Sequence, residues 1–224
     1  MELGFWKLAA EHPDRLAAVG PNGEELTSGQ LLERANRAGN ALGNLGVNKG
    51  DAVAMIMGNA IQTLELVLGT SQTGLFLVPV NWHLTSEEIG YILEDSVTQA
   101  MVCSPELAEA AATAADAAGI PIERRFCTGP TPGFRSWDAF LAAASPEAPT
   151  ARSWGSPMHY TSGTTGRPKG VRRRSIDAPP ETIATSYAQF LMLFGIMPQG
   201  DGVHLAVAPL YHTAVLHFTT SSLH

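Results

Sequence analysis

The sequence predicts an α/β layer fold with a largely parallel sheet. Three observations carry this expectation. Short, almost wholly apolar runs, "DAVAMIM" (51–57) and "LFLVPV" (75–80), read as strands covered on both faces. Stretches with helical apolar spacing separate such runs. Two of those stretches open on a threonine followed three residues later by Gln or Glu, the capping-box signature of a helix start.

Taken in order, "MELGFWKLAAEHPDRL" reads as a short amphipathic helix with charges inside it. In "ELTSGQLLERANRAGNALGNLG", Thr27 is the expected N-cap and Gln30 closes its box. Leu31, Leu32, Ala35, Ala38, Leu42 and Leu45 recur at helical spacing, and Gly46 supplies the stop. The strand at 51–57, the helix "NAIQTLELVLGTSQTG" and the strand at 75–80 follow. Thr85 and Glu88 form the second box, opening a helix whose apolar positions are Ile89, Ile92 and Leu93. "QAMVCS" reads as a strand, "PELAEAAATAADAAG" as a helix between Pro105 and Gly119, and "IPIERRFC" as another strand. A Pro-, Gly- and Ser-rich connection around the short helix "SWDAFLAAA" leads to residue 158. Beyond the glycine-rich stretch come a helix in "APPETIATSYAQFLMLFG", a strand and turn in "GVHLAVAPLYHT", and a further helix in "AVLHFTTSSLH".

With 224 residues, 45% of them hydrophobic, the chain can bury a sizeable core and is not of disordered composition. We divide it at residue 150: an N-terminal α/β subdomain over 1–150, and a segment over 151–224 that opens a second one. Cys103 and Cys127 are expected as buried free thiols or as one disulfide. No signal peptide and no bilayer-spanning apolar run is read, so the cytoplasm is the expected compartment. The net charge of -7 is uneven: residues 1–149 carry 8 Lys+Arg against 18 Asp+Glu, whereas residues 150–224 carry 6 against 3. An acidic body with one basic patch argues against nucleic-acid binding and suits a local anion site.

That patch holds "HYTSGTTGRPKGVRRR" (159–174). Gly163, Gly166 and Gly170 let backbone approach a ligand closely, Thr161, Ser162, Thr164 and Thr165 add hydroxyls, and Lys169 adds a mobile positive charge. A polyphosphate, with many oxygens and high charge, is the natural guest. The order G-T-T-G-R-P-K-G is not the Walker pattern. Arg172, Arg173 and Arg174 read either as an anion-steering group or as a solvated face.

The string closely resembles the phosphate-binding motif of the adenylate-forming superfamily, which includes acyl-CoA synthetases, peptide-synthetase adenylation domains and luciferase-like enzymes. "SQTGLFLVPVNWHLTSEEIGYILEDS" (71–96) looks like a second conserved stretch of that family, and "PLYHTAVLHF" (209–218) resembles an element of acyl-CoA synthetases in particular. "LTSGQLLERANRAGNAL" matches the usual early helix, except that Gly29 stands where an aromatic is common.

The resemblance implies ATP-dependent activation of a carboxylic acid, a fatty acid in the branch it most resembles, through an acyl-adenylate, followed by transfer to coenzyme A. Thr161, Ser162, Gly163, Thr164, Thr165, Gly166 and Lys169 would hold the phosphates and the departing pyrophosphate. Tyr211 and His212 would stand near the acyl carboxylate, His212 being alternatively a packed core histidine. Magnesium, adenine and coenzyme A ligands are expected outside this chain, which resembles the N-terminal part of a longer enzyme and alone is expected to be inactive. The alternatives are a catalytically silent, truncated phosphate-binding or self-associating product and, behind it, a peptide-synthetase adenylation domain or luciferase-like enzyme. Metal ligation by His212 and His217 is discounted on spacing, and apolar surface left uncovered leads us to expect a homo-oligomer.

Overall fold

A computed structural model describes residues 3–161, 167–173, 176–198, 200 and 202–224 of the chain. In order, α1 (Phe5–Glu11) precedes a hairpin of β1 (Leu16–Val19) and β2 (Glu25–Thr27). Then come α2 (Ser28–Asn44), β3 (Ala52–Ile56), α3 (Ile61–Gln72), β4 (Phe76–Pro79), α4 (Ser86–Asp95), β5 (Thr98–Cys103) and α5 (Ala108–Ala117). They are followed by β6 (Arg125–Cys127), β7 (Arg135–Ser136), α6 (Trp137–Ala142), β8 (Ser156–Pro157), β9 (His159–Thr161), β10 (Lys169–Val171), α7 (Pro180–Met192) and α8 (Thr213–Leu223).

Six strands form one sheet in the order β7-β6-β5-β3-β4-β8, and each pairing is parallel. From β3 the chain steps one way to β4, then crosses back over β3 to β5. Right-handed crossovers therefore place α3 and α4 on opposite faces. The side chains agree: Val53, Met55 and Leu77 pack with Leu42 of α2, Leu66 of α3 and Trp137 of α6. Ala54, Ile56 and Val78 pack instead with Ile89 and Ile92 of α4 and Ala111 and Ala114 of α5. All five residues of β3 are buried, as a central parallel strand requires. A third apolar group joins Phe5, Trp6, Leu31, Leu68, Trp154 and Ala184.

Both capping boxes are present. The Thr27 and Thr85 hydroxyls accept from the backbone N–H groups of Gln30 and Glu88, whose side chains accept in return from the cap backbones. The two cysteines are free and buried, opposite one another across β5 and β6, and burial raises the Cys103 thiol above its ordinary value. Among the described residues no helix is long and apolar enough to cross a membrane.

Three expectations change. In "IPIERRFC" only Arg125–Cys127 joins the sheet, because Ile122–Arg124 is a 3-10 turn in which the Arg124 N–H closes on the Pro121 carbonyl at 2.9 Å. "PELAEAAA" begins as a 3-10 turn at Pro105–Leu107 before α5 starts. The strand expected in "GVHLAVAPL" is absent: residues 202–208 join no sheet among the described residues, and Val203, Leu205 and Val207 are 94%, 75% and 84% exposed. Among the described residues no strand pairs with this stretch, and the Asn59 amide donates to its Ala206 and Ala208 carbonyls instead.

Glu65 is fully buried on α3 and ties three helices together. Its carboxylate accepts from Arg34 Nε of α2 and, at 2.9 Å, from Trp137 Nε1 of α6; Arg34 also reaches Asp138 at 2.7 Å. Removing one partner of a buried pair costs about 3 kcal/mol, because the other groups lose their acceptor. Glu65→Ala should therefore lower the unfolding free energy by about 3 kcal/mol in urea titrations; a loss below about 1 kcal/mol, the usual value of a surface pair, would show that the network does not hold the helices.

Candidate functional site

Of the residues singled out by the sequence, Thr161, Lys169, Tyr211 and His212 lie beyond the carboxyl ends of the parallel strands, where open α/β sheets place ligands. β8 brings the chain there. It pairs with β4, and the Met158 N–H continues the contact by donating to the Leu77 carbonyl at 2.7 Å. Gly155 makes the approach possible, since a Cβ at that position would run into the backbone oxygens of Thr70 and Leu75.

From Met158 the chain turns into an antiparallel hairpin of β9 and β10. Thr161 pairs with Lys169, Tyr160 with Gly170, and His159 with Val171. Thr161 and Lys169 thus stand side by side, both exposed, at the two ends of the hydroxyl-rich stretch. Ser162, Gly163, Thr164, Thr165 and Gly166 lie outside the described residues. The Tyr160 ring lies across Gly170, where a Cβ would come within 2.9 Å of Tyr160 Cζ and 2.5 Å of Met158 Cε. The aromatic side chain that Gly170 faces thus leaves no room for a Cβ there. The Tyr160 hydroxyl donates to Asp95 Oδ2 at 2.6 Å, and its proton is held above the ordinary tyrosine range by burial and then by that bond.

Tyr211 and His212 lie in the turn that precedes α8. Asn59, three residues beyond the end of β3, fixes this turn. Its Nδ2 donates to the carbonyls of Ala206 at 3.3 Å and Ala208 at 3.0 Å, and its Oδ1 accepts from the Leu210 N–H at 2.9 Å. His212 occupies the N-cap position of α8, its carbonyl accepting from Leu216 N–H, and its exposed ring lies 4.4 Å from that of Tyr211. Tyr211 in turn meets Trp82, in the loop after β4, edge-on at 6.4 Å.

His159 joins the two halves of the site. It lies in the hairpin, and its ring stands close enough to the Tyr211 backbone to be influenced by it. Burial, chiefly, lowers its pKa to about 4; the charge of Arg173 and the neighbouring His217 push the same way, and the Tyr211 backbone opposes them. The arginine run divides. Arg172 donates to the Gly50 carbonyl and covers the Phe76 ring at 4.6 Å, so it is a packing residue; Arg173 faces His159 and His217; Arg174 is outside the described residues. His217 packs on Tyr187 and Phe190, and His224 is buried against Trp6, accepting from the Phe5 N–H at 3.1 Å. Among the described residues no group of three or more His, Cys, Asp or Glu could hold a metal ion.

Asn59, His159 and Asp95 were not singled out in the sequence. His159 opens the quoted string and Asp95 closes "YILED", but neither has a spacing signature. Asn59 follows a glycine just after an apolar strand, which marks a strand-end loop and nothing more specific.

The sequence profile of the family described as AMP-binding enzyme matches residues 5–224. Among curated proteins, the chain is 35% identical over 169 residues to a fatty acid–[acyl-carrier-protein] ligase of Streptomyces coeruleorubidus, covering 72% of this chain and 30% of that one. It is 34% identical over 215 residues to a feruloyl-CoA synthase of an Amycolatopsis species, covering 96% and 40%. Among solved structures, ATP-bound MatB from Rhodopseudomonas palustris superposes with a TM-score of 0.74 at 26% identity, covering 99% of this chain and 43% of that one. The chain thus spans well under half the length of these relatives.

A proton NMR titration of His159 should give a midpoint near 4, below the ordinary 6.5. Between those values the unfolded chain binds more protons, so stability present above pH 6.5 declines as the pH falls toward 4. A midpoint at the ordinary value would show that burial does not dominate at this ring.

Proposed function

The chain belongs to the AMP-binding enzyme family, and on that footing we propose that it is the phosphate-gripping portion of an ATP-dependent acid–thiol ligase. The observation that supports this most directly is the pairing of Thr161 with Lys169 at the base of the glycine-rich stretch, with His159 joining that hairpin to the Tyr211–His212 turn. A hydroxyl and an ammonium group set side by side on exposed backbone suit an anion with several oxygens.

In this reading the carboxylate of an organic acid attacks the α-phosphorus of ATP. The new oxygen–phosphorus bond replaces the bond to pyrophosphate, and an acyl-adenylate forms. A thiol, losing its proton, then attacks the acyl carbon, and AMP leaves with the oxygen. Lys169, with Thr161, Ser162, Gly163, Thr164, Thr165 and Gly166, holds the β- and γ-phosphates and then the pyrophosphate; such a step depends on position and charge neutralisation. Tyr211 and His212 meet the acid. Magnesium would supply charge neutralisation on the phosphates when bound, but the described residues offer it no cluster of ligands. Adenine and coenzyme A are contacted outside these 224 residues, so this polypeptide alone binds nucleotide without turning over. The division at residue 150 belongs to the same reading, with β8 (Ser156–Pro157) of the second segment returning to the six-stranded sheet before the chain leaves it to build the site.

The acid is apolar on this reading, a fatty acid by resemblance, and the thiol is coenzyme A. The Streptomyces relative named for an acyl-carrier-protein makes a carrier thiol the second acceptor to try. A silent, self-associating module is the runner-up. It is favoured by the uncovered apolar run of Leu193, Phe194, Ile196, Met197, Val203, Leu205 and Val207.

Two measurements check these statements. Lys169→Ala should weaken ATP binding by about tenfold in calorimetry, the value of one charge-assisted hydrogen bond, and an unchanged affinity would remove Lys169 from the site. Light scattering should show concentration-dependent association of the 224-residue chain, reduced by Leu205→Ser with Val207→Ser; a monomer at every concentration would contradict self-association.

A further inference from the structure

Both arms that flank residues 162–166 are held by a single helix. On the incoming arm, Tyr160 donates its hydroxyl hydrogen to Asp95 at 2.6 Å. On the outgoing arm, the Arg167 guanidinium lies 5.3 Å from the centre of the Tyr91 ring. Tyr91 and Asp95 belong to α4 and are four residues apart, so they share one face, one turn apart. The two tyrosines are neighbours as well: Tyr91 and Tyr160 both pack, half-buried, against the apolar layer beneath α4.

Asp95 is badly placed for helix stability. It is the last residue of α4, next to Glu94, and no basic residue stands in that turn. A carboxylate at a helix C-terminus opposes the macrodipole. Its hydrogen bond to Tyr160 gives it a role that α4 itself does not require. The contact of Arg167 with the Tyr91 ring likewise adds nothing to the core, since the guanidinium is exposed.

We propose that Tyr91 and Asp95 are positioning residues of the phosphate site: α4 clamps the incoming arm at Tyr160 and the outgoing arm at Arg167, and so fixes where the paired Thr161 and Lys169 stand to meet a polyphosphate. This rests on the phosphate-binding reading above. The clamp acts through entropy. Arms already held in the binding geometry lose less freedom when the anion arrives, so loosening either one weakens affinity without removing any donor. Gly170 adds to the coupling, because the Tyr160 ring that reaches Asp95 also lies across that glycine, next to Lys169.

The test uses the 224-residue chain with tripolyphosphate as the probe, read by calorimetry, and amide hydrogen exchange of Thr161 and Lys169 without ligand. Tyr160→Phe and Asp95→Ala should each weaken affinity by about tenfold. The double variant should be no weaker than either single one, because one bond is lost in all three. Tyr91→Phe keeps the ring and should bind like the parent, whereas Tyr91→Leu should bind more weakly. Exchange should quicken in every weakened variant while the thermal midpoint stays unchanged, which separates positioning from general destabilisation. Parent-like affinity or parent-like exchange in Asp95→Ala and Tyr160→Phe would overturn the clamp. If the parent itself ignores tripolyphosphate while the variants still exchange faster, the anchoring stands and the phosphate reading falls. If neither changes, both fall.

Discussion

Two residues of β8, Ser156 and Pro157, are the last that the six-stranded sheet takes, and their pairing with β4 decides where the rest of the site can be. The contact is made backbone to backbone. Gly155 comes so close to the Thr70 and Leu75 oxygens that no side chain fits between them. From that point a single residue, Met158, separates the sheet from the hairpin. The hairpin therefore inherits its position from the rigid parallel layer rather than from a long connection. Thr161 and Lys169 stand next to each other because of antiparallel register, and His159 reaches Tyr211 because both lie over the carboxyl ends of the same strands.

The alternation of strands and helices was legible because the physics that sets it is local. Thr27 with Gln30 and Thr85 with Glu88 announce helix starts through hydrogen bonds made within four residues, and both boxes form. The buried run of β3 has no polar face and so leaves few readings. What failed was reading an apolar stretch as a strand without asking what it would pair with. Residues 202–208 have the composition of a strand, yet among the described residues no strand pairs with them. The β1–β2 hairpin went unread because its strands are short and half exposed, which leaves little apolar pattern; the Asn22-Gly23 turn was its one strong signal.

The candidate site was legible in a different way. Its glycine-rich string is recognisable from residue order alone, but the string shows only what touches a ligand. The residues that hold it are scattered: Asp95 and Tyr91 on α4, Asn59 after β3, Arg172 folded back on Gly50 and Phe76. Each makes contacts more than fifty residues away in sequence, and none carries a spacing rule. Arg172 illustrates the limit, since beside Arg173 it looks identical in the chain, while in the fold one arginine packs on a ring and the other faces histidines.

Asn59 has a further meaning for how the molecule tolerates change. Its side chain offers one donor group and one acceptor, matched to the carbonyls of Ala206 and Ala208 and to the amide of Leu210. Two neighbouring strands can slip past one another in steps of two residues and still find bonds. A single carboxamide cannot, because only one alignment satisfies both of its ends. Tyr211 and His212 are thereby moored independently of the apolar residues that come before them, so whatever edge comes to lie against Val203, Leu205 and Val207 can do so without dragging those two rings out of place.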